Sequence, residues 1–167
     1  YPSETFDDNY NKIVDLRNSG KLKKSFSITI FITGITKTDD KFHNNKNINI
    51  VVLDTTVTKI GGGFRYGVGS FSGCSSLRRI IIPSSVTEIG ENAFNECSSL
   101  EQATIPPTVS VINGHAFYKC SSLKQITIPS LVTKISGFAF DGCSSITEIT
   151  IPSSVIEIEL YAFHGCS

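Results

Sequence analysis

The chain has 167 residues, 40% of them hydrophobic, with 15 Lys+Arg against 15 Asp+Glu, five Cys and neither Met nor Trp. That length suits one domain with a real core, and the absence of a basic excess argues against a nucleic-acid partner or an anionic membrane surface. No stretch reaches the ~18 apolar residues of a membrane span, and Lys21, Lys23 and Lys24, the one basic cluster, read as a solvated turn.

From the N-terminus, the first predicted element is a helix over about 5–20. Thr5 with Asp8 resembles a capping box, Phe6, Tyr10, Ile13 and Val14 make one apolar stripe, and Gly20 is a stop. Its expected task is to cover the first coil of the repeats. Residues 22–44 read as a degenerate capping repeat, in which Ile28, Ile30 and Phe42 fit the register of the later units. Together, 1–44 form an N-terminal cap.

The remainder is periodic. Cys74, Cys97, Cys120, Cys143 and Cys166 follow one another at steps of 23 residues, and such a period is the mark of a repeat architecture. The units 74–96, 97–119, 120–142 and 143–165 share C-S-S-L-x-x-I-x-I-P-x-x-V-x-x-I-x-x-x-A-F-x-x, with Ile146 in place of the Leu and Ala103 in place of the first Ile. The unit 45–73 precedes them at an offset of 29. There Ile48, Val51, Leu53, Val57 and Ile60 match Leu77, Ile80, Ile82, Val86 and Ile89, Asn45 takes the Cys place and Asp54 the Pro place. Its extra residues form an insertion within 62–69.

Each unit can be read physically. Leu77, Ile80 and Ile82 predict a short strand with one buried face. Pro83 has no N–H and ends it; Val86 and Ile89 line a returning leg, and Ala93-Phe94 sit on a tight turn. One such unit buries too little to offset the ordering of its own backbone, so neighbours must stack. The expected fold is a mainly β solenoid whose L-x-x-I-x-I strands form a parallel sheet.

With A-F-x-x-C and this 23-residue length, the pattern resembles the BspA-like leucine-rich repeats, closely over 74–167 and loosely over 45–73. The place where ordinary leucine-rich repeats carry Asn holds Ser85, Thr108, Leu131 and Ser154, so hydroxyls replace the amide and Leu131 offers no polar atom. The resemblance implies a right-handed coil and a role in protein recognition, often adhesion to host or matrix proteins at a cell surface. An intracellular scaffold docking a signalling enzyme is the alternative, which the absence of any N-x-S/T sequon fits.

The chemistry-bearing residues point away from catalysis. Parallel stacking would set the cysteines as free, buried, core-filling thiols, and a 23-residue ladder is no zinc geometry. His43, His115 and His164 fall in three different units and are not expected to converge. Gly61-Gly62-Gly63 lacks the Lys-Ser/Thr of a phosphate loop. No cofactor, metal or catalytic residue is expected.

The outward strand positions form three ladders. They run Asn49, Arg78, Glu101, Lys124, Thr147; Ile50, Arg79, Gln102, Gln125, Glu148; and Val52, Ile81, Thr104, Thr127, Thr150. Alternating charge and Thr rows support neighbouring strands, Glu101 with Lys124 among them. Ile50, Val52 and Ile81 instead leave apolar groups outward beside Arg78 and Arg79, and the insertion adds Phe64, Arg65 and Tyr66. Aromatics and Arg around an apolar centre have the composition of an interface; the other reading is that the loop covers Val52 and Ile81. A last expectation concerns the final coil, where Ile149, Ile151 and Cys166 offer an edge for self-association or for a further repeat.

Overall fold

The computed structural model describes residues 28–33, 37–38, 42–62 and 68–166. The helix expected over 5–20, and Phe64, Arg65 and Tyr66, lie outside these.

Each unit folds as a coil with three sides. In the 74–96 unit, Leu77, Ile80 and Ile82 point inward while Arg78, Arg79 and Ile81 point out, the last three framing β5 (Arg79–Ile81). The chain then turns, with the Val86 N–H donating to the Pro83 carbonyl at 3.1 Å. Asp54 makes the same turn without the ring. Its carbonyl accepts from Val57 N–H at 3.2 Å and its carboxylate from Thr56 N–H at 2.9 Å, a side-chain-locked turn. The second side is the two-residue strand β6 (Glu88–Ile89). The third side is a run of tight turns, with Asn95 N–H on Asn92 O and Cys97 N–H on Phe94 O, both 3.1 Å.

Coils stack in parallel on all sides. On the strand side β1 (Ile28–Ile32), β3 (Ile48–Leu53) and β5 form one sheet in the order β1-β3-β5, and bridges carry it on from Arg79 to Gln102 to Gln125. The second side holds two sheets, β2 (Lys37–Thr38), β4 (Lys59–Ile60) and β6, then β7 (Val111–Ile112), β8 (Lys134–Ile135) and β9 (Glu157–Ile158). The third side is tied by coil-to-coil bonds such as Phe71 N–H to Ala93 O and Phe94 N–H to Ala116 O, each 2.9 Å.

The pairing Ile50↔Arg79, Val51↔Ile80, Val52↔Ile81 realises the 29-residue offset. At β1 the register differs from the sequence expectation. Ile30 and Ile32, not Ile28 and Ile30, stand beside Val51 and Leu53, after an irregularity between Ile28 and Thr29. A two-residue shift keeps the inward parity of a strand, so the apolar face is preserved.

One continuous core runs through the stack. Phe42, Phe71, Phe94, Phe117, Phe140 and Phe163 form a column of parallel rings with centroids 5.3–5.6 Å apart, the offset arrangement that the ring quadrupole favours. Beside it run the five free cysteines, Cys74 to Cys143 buried and Cys166 half-buried. They are more than small hydrophobes. Each thiol donates to a Phe carbonyl of the preceding coil, as in Cys97 to Phe71 O at 3.0 Å and Cys120 to Phe94 O at 3.2 Å. Desolvation pushes the Cys74 and Cys143 thiols up to about 12, and Cys97 and Cys120 well above their ordinary value.

Candidate functional site

The strand side presents the candidate surface. Alternation on β3 and β5 turns Ile50, Val52, Arg79 and Ile81 outward, because Val51, Leu53, Ile80 and Ile82 fill the core. Ile81 is 44% exposed, and Val52 and Ile50 are half-buried. The register Phe31↔Val52↔Ile81 puts Phe31, 63% exposed, at the head of this row. The repeat pattern did not single out Phe31, although parity held the signal: if Ile28 and Ile30 face inward, Thr29 and Phe31 face out. The row is thus apolar in its first three coils and Thr in the next three, at Thr104, Thr127 and Thr150.

Arg78 stands in the neighbouring row, which backbone bonds define: Arg78 N–H to Asn49 O at 2.8 Å, Glu101 N–H to Arg78 O at 2.9 Å. Both arginines are exposed. On the other two sides, ion pairs join neighbouring coils. They join Lys59 to Glu88 at 2.9 Å, Lys134 to Glu157 at 3.1 Å and Glu159 at 2.5 Å, and Lys119 to Glu96 at 3.8 Å, while His164 Nδ1 and Asp141 Oδ1 share a hydrogen bond of 2.9 Å. The Lys134 ammonium is raised and the Glu159 carboxyl lowered, each chiefly by their mutual hydrogen bond. On the strand face, Arg78, Arg79, Glu101, Lys124 and Glu148 make no such pair. The expected contact of Glu101 with Lys124 is one of backbone, Lys124 N–H to Glu101 O at 3.4 Å, and not of charge.

Strand-side bonding also lapses towards the last coil. No bridge joins Gln125 to Glu148 among the described residues, and a groove of about 350 Å³ opens there between Lys124–Ile128 and Thr147–Pro152. The residues that flank the insertion stand elsewhere. Its stems, Gly62 and Gly69, pack against Gly90–Ala93, at the corner between the second and third sides. A Cβ on Gly62 would meet the Glu91 nitrogen at 2.3 Å, and one on Gly90 would meet the Gly62 nitrogen at 2.3 Å. The stems therefore stand at a different corner from the Val52–Ile81 row.

The hydroxyls in the Asn place do bond between coils. Ser85 donates to Val57 O at 2.8 Å and Thr108 to Val86 O, whereas the buried Ser154 hydroxyl has no partner. Leu131 is 57% exposed. On the third side a feature appears that no residue pattern announced. Asn92, His115, Phe138 and Tyr161 occupy one repeat position and all have left-handed backbones, φ 54–60°. His115 stacks on Phe138 at 4.9 Å, Phe138 meets Tyr161 at 5.1 Å, and Tyr161 meets His164 edge-on at 5.5 Å. Two histidines thus flank one string of rings without converging on a centre. Among the described residues no group of three His, Cys, Asp or Glu is placed to hold a metal ion, and no helix is long and apolar enough to cross a membrane.

Parallel coils with a column of Phe and a strand side of L-x-x-I-x-I define a leucine-rich-repeat solenoid. The BspA type leucine-rich repeat region matches residues 36–167 in six copies, and the chain belongs to that family. Its fold is similar to the leucine-rich repeat protein of T. pallidum, with TM-score 0.68 and 24% identity over 79% of this chain and 69% of that one. It is also similar to a leucine rich cell surface protein from Faecalibacterium prausnitzii A2-165 (TM-score 0.63, 27% identity, 86% of this chain) and to a leucine-rich repeat protein from Bacteroides ovatus ATCC 8483 (0.62, 22%, 82%). This chain spans 37% and 43% of the lengths of those two. No curated protein matches it.

Proposed function

We propose that the protein is a non-catalytic recognition module, displayed at a cell surface, that holds a protein partner against the strand face of its first coils. Proteins of the BspA type are generally protein-interaction modules, which supports the class of function. The observation that carries the site is the row Phe31, Val52, Ile81, exposed at Phe31 and Ile81 and half-buried at Val52, beside Ile50 and two arginines, Arg78 and Arg79, that have no ion-pair partner among the described residues. Exposed apolar groups with Arg are what a partner would desolvate at the centre of an interface. Phe64, Arg65 and Tyr66 lie outside the described residues, and the reading does not depend on them. Surface display draws on the likeness to the F. prausnitzii cell surface protein. The four deeply buried thiols are compatible with it, because an oxidising exterior finds no reactive thiolate among those four.

Binding of the wild type and of Phe31→Ser/Ile81→Ser to immobilised matrix proteins tests the site, alongside protease and antibody access on intact cells. Patch-dependent binding and labelling of living cells support adhesion. Protection until lysis would replace it with intracellular docking, and binding indifferent to the double substitution would remove the site.

A further inference from the structure

We infer that the partner's contacting segment is acidic: it lays an apolar side chain on the Phe31–Val52–Ile81 row and sets carboxylates on Arg78 and Arg79. The inference rests on the recognition reading above and adds the chemistry of what is recognised.

Three observations lead to it. Arg78 and Arg79 are adjacent in sequence and both face outward, because the chain entering β5 exposes two successive residues between the buried Leu77 and Ile80 before alternation resumes. Neither has an ion-pair partner among the described residues, while Lys59, Lys119 and Lys134 on the other sides are each held by a Glu of a neighbouring coil. Finally, across β1, β3 and β5 the outward residues of the three rows are Thr29, Phe31, Asn49, Ile50, Val52, Arg78, Arg79 and Ile81, a patch with two positive charges and no acidic group.

A guanidinium offers a fixed fork of donors that a carboxylate fits in bidentate fashion. Two such forks beside an apolar row suit a segment carrying paired Asp or Glu next to Leu, Ile or an aromatic residue. Basic segments are repelled at the same place. Beyond it the strand face alternates in sign, Glu101, Lys124, Glu148, so the acidic preference is confined to the first coils and fixes which end of the solenoid the partner meets.

A phage-displayed library of random dodecapeptides, selected on the wild type and on Arg78→Gln/Arg79→Gln, tests this, followed by fluorescence anisotropy of the recovered peptides. The expected peptides carry two or more acidic residues beside an apolar one. They should bind the arginine variant about tenfold more weakly, and weaken between about 50 and about 300 mM NaCl. Both arginines are exposed, so melting temperatures should match. Neutral or basic peptides, or acidic ones indifferent to the arginines, would overturn the inference. Binding lost with Phe31→Ser/Ile81→Ser but kept by the arginine variant leaves recognition standing and removes the acidic partner. Failure of both variants to alter any recovered peptide removes both.

Discussion

Replacing Phe117 by Ala should test how stability is distributed along the stack. Phe117 is fully buried, with Phe94 at 5.3 Å on one side and Phe140 at 5.4 Å on the other. Deleting a buried ring of this kind costs about 3–5 kcal/mol in lost transfer and cavity terms. Phe163 stacks on Phe140 alone among the described residues and is half-buried, so Phe163→Ala should cost about half as much. With a urea slope of about 2 kcal/mol/M, the Phe117 midpoint falls by roughly 2 M and the Phe163 midpoint by roughly 1 M. Urea titrations followed by circular dichroism and by tyrosine fluorescence give both numbers. A Phe117→Ala loss below about 1 kcal/mol, or one equal to that of Phe163→Ala, would refute a continuous aromatic column as the main inter-coil contact.

Other expectations come from the same interior. Folded thiols hold their protons above the ordinary value of 9.0 while unfolded ones release them, so the folded state gains from them below pH 9 and loses that gain as pH rises towards about 12. At pH 10 the loss is about 1.4 kcal/mol per buried thiol; urea midpoints at pH 8, 9 and 10 should fall along this curve, and Cys120→Ala should flatten it. For the same reason a thiol reagent at pH 8 should modify Cys166 first and the other four only on unfolding. Gly90→Ala places a methyl 2.3 Å from the Gly62 nitrogen and should cost about 1–3 kcal/mol by overpacking, visible as a lower melting temperature.

Much of this was legible because burial repeats. Eight inward residues per unit, Leu77 to Cys97, recur at one spacing, and a strand's period of two fixes which neighbours face out. Asn45 and Asp54 were readable as stand-ins, since Asx side chains make the turns that Cys-Ser-Ser and Pro make elsewhere; Asn45 accepts from Asn47 N–H at 2.9 Å and Ile48 N–H at 3.2 Å. The β1 register was not legible, because a two-residue slide leaves the apolar pattern unchanged. Nor was the left-handed backbone at His115, Phe138 and Tyr161. Such residues ordinarily avoid it at about 1–2 kcal/mol each, and here coil-to-coil backbone bonds and ring stacking hold them there. The thiols were not legible as donors either, since packing alone explains their burial.

The central claim is that a protein partner meets the strand face at the first coils. Its most direct test is amide hydrogen exchange of the wild type with and without a saturating bound protein or selected peptide. Slowed exchange should be concentrated in β1, β3 and β5, with the Lys134–Ile135 and Glu157–Ile158 strands unchanged. Protection confined to the His115–Phe138–Tyr161 side, or to the final coil, would contradict it.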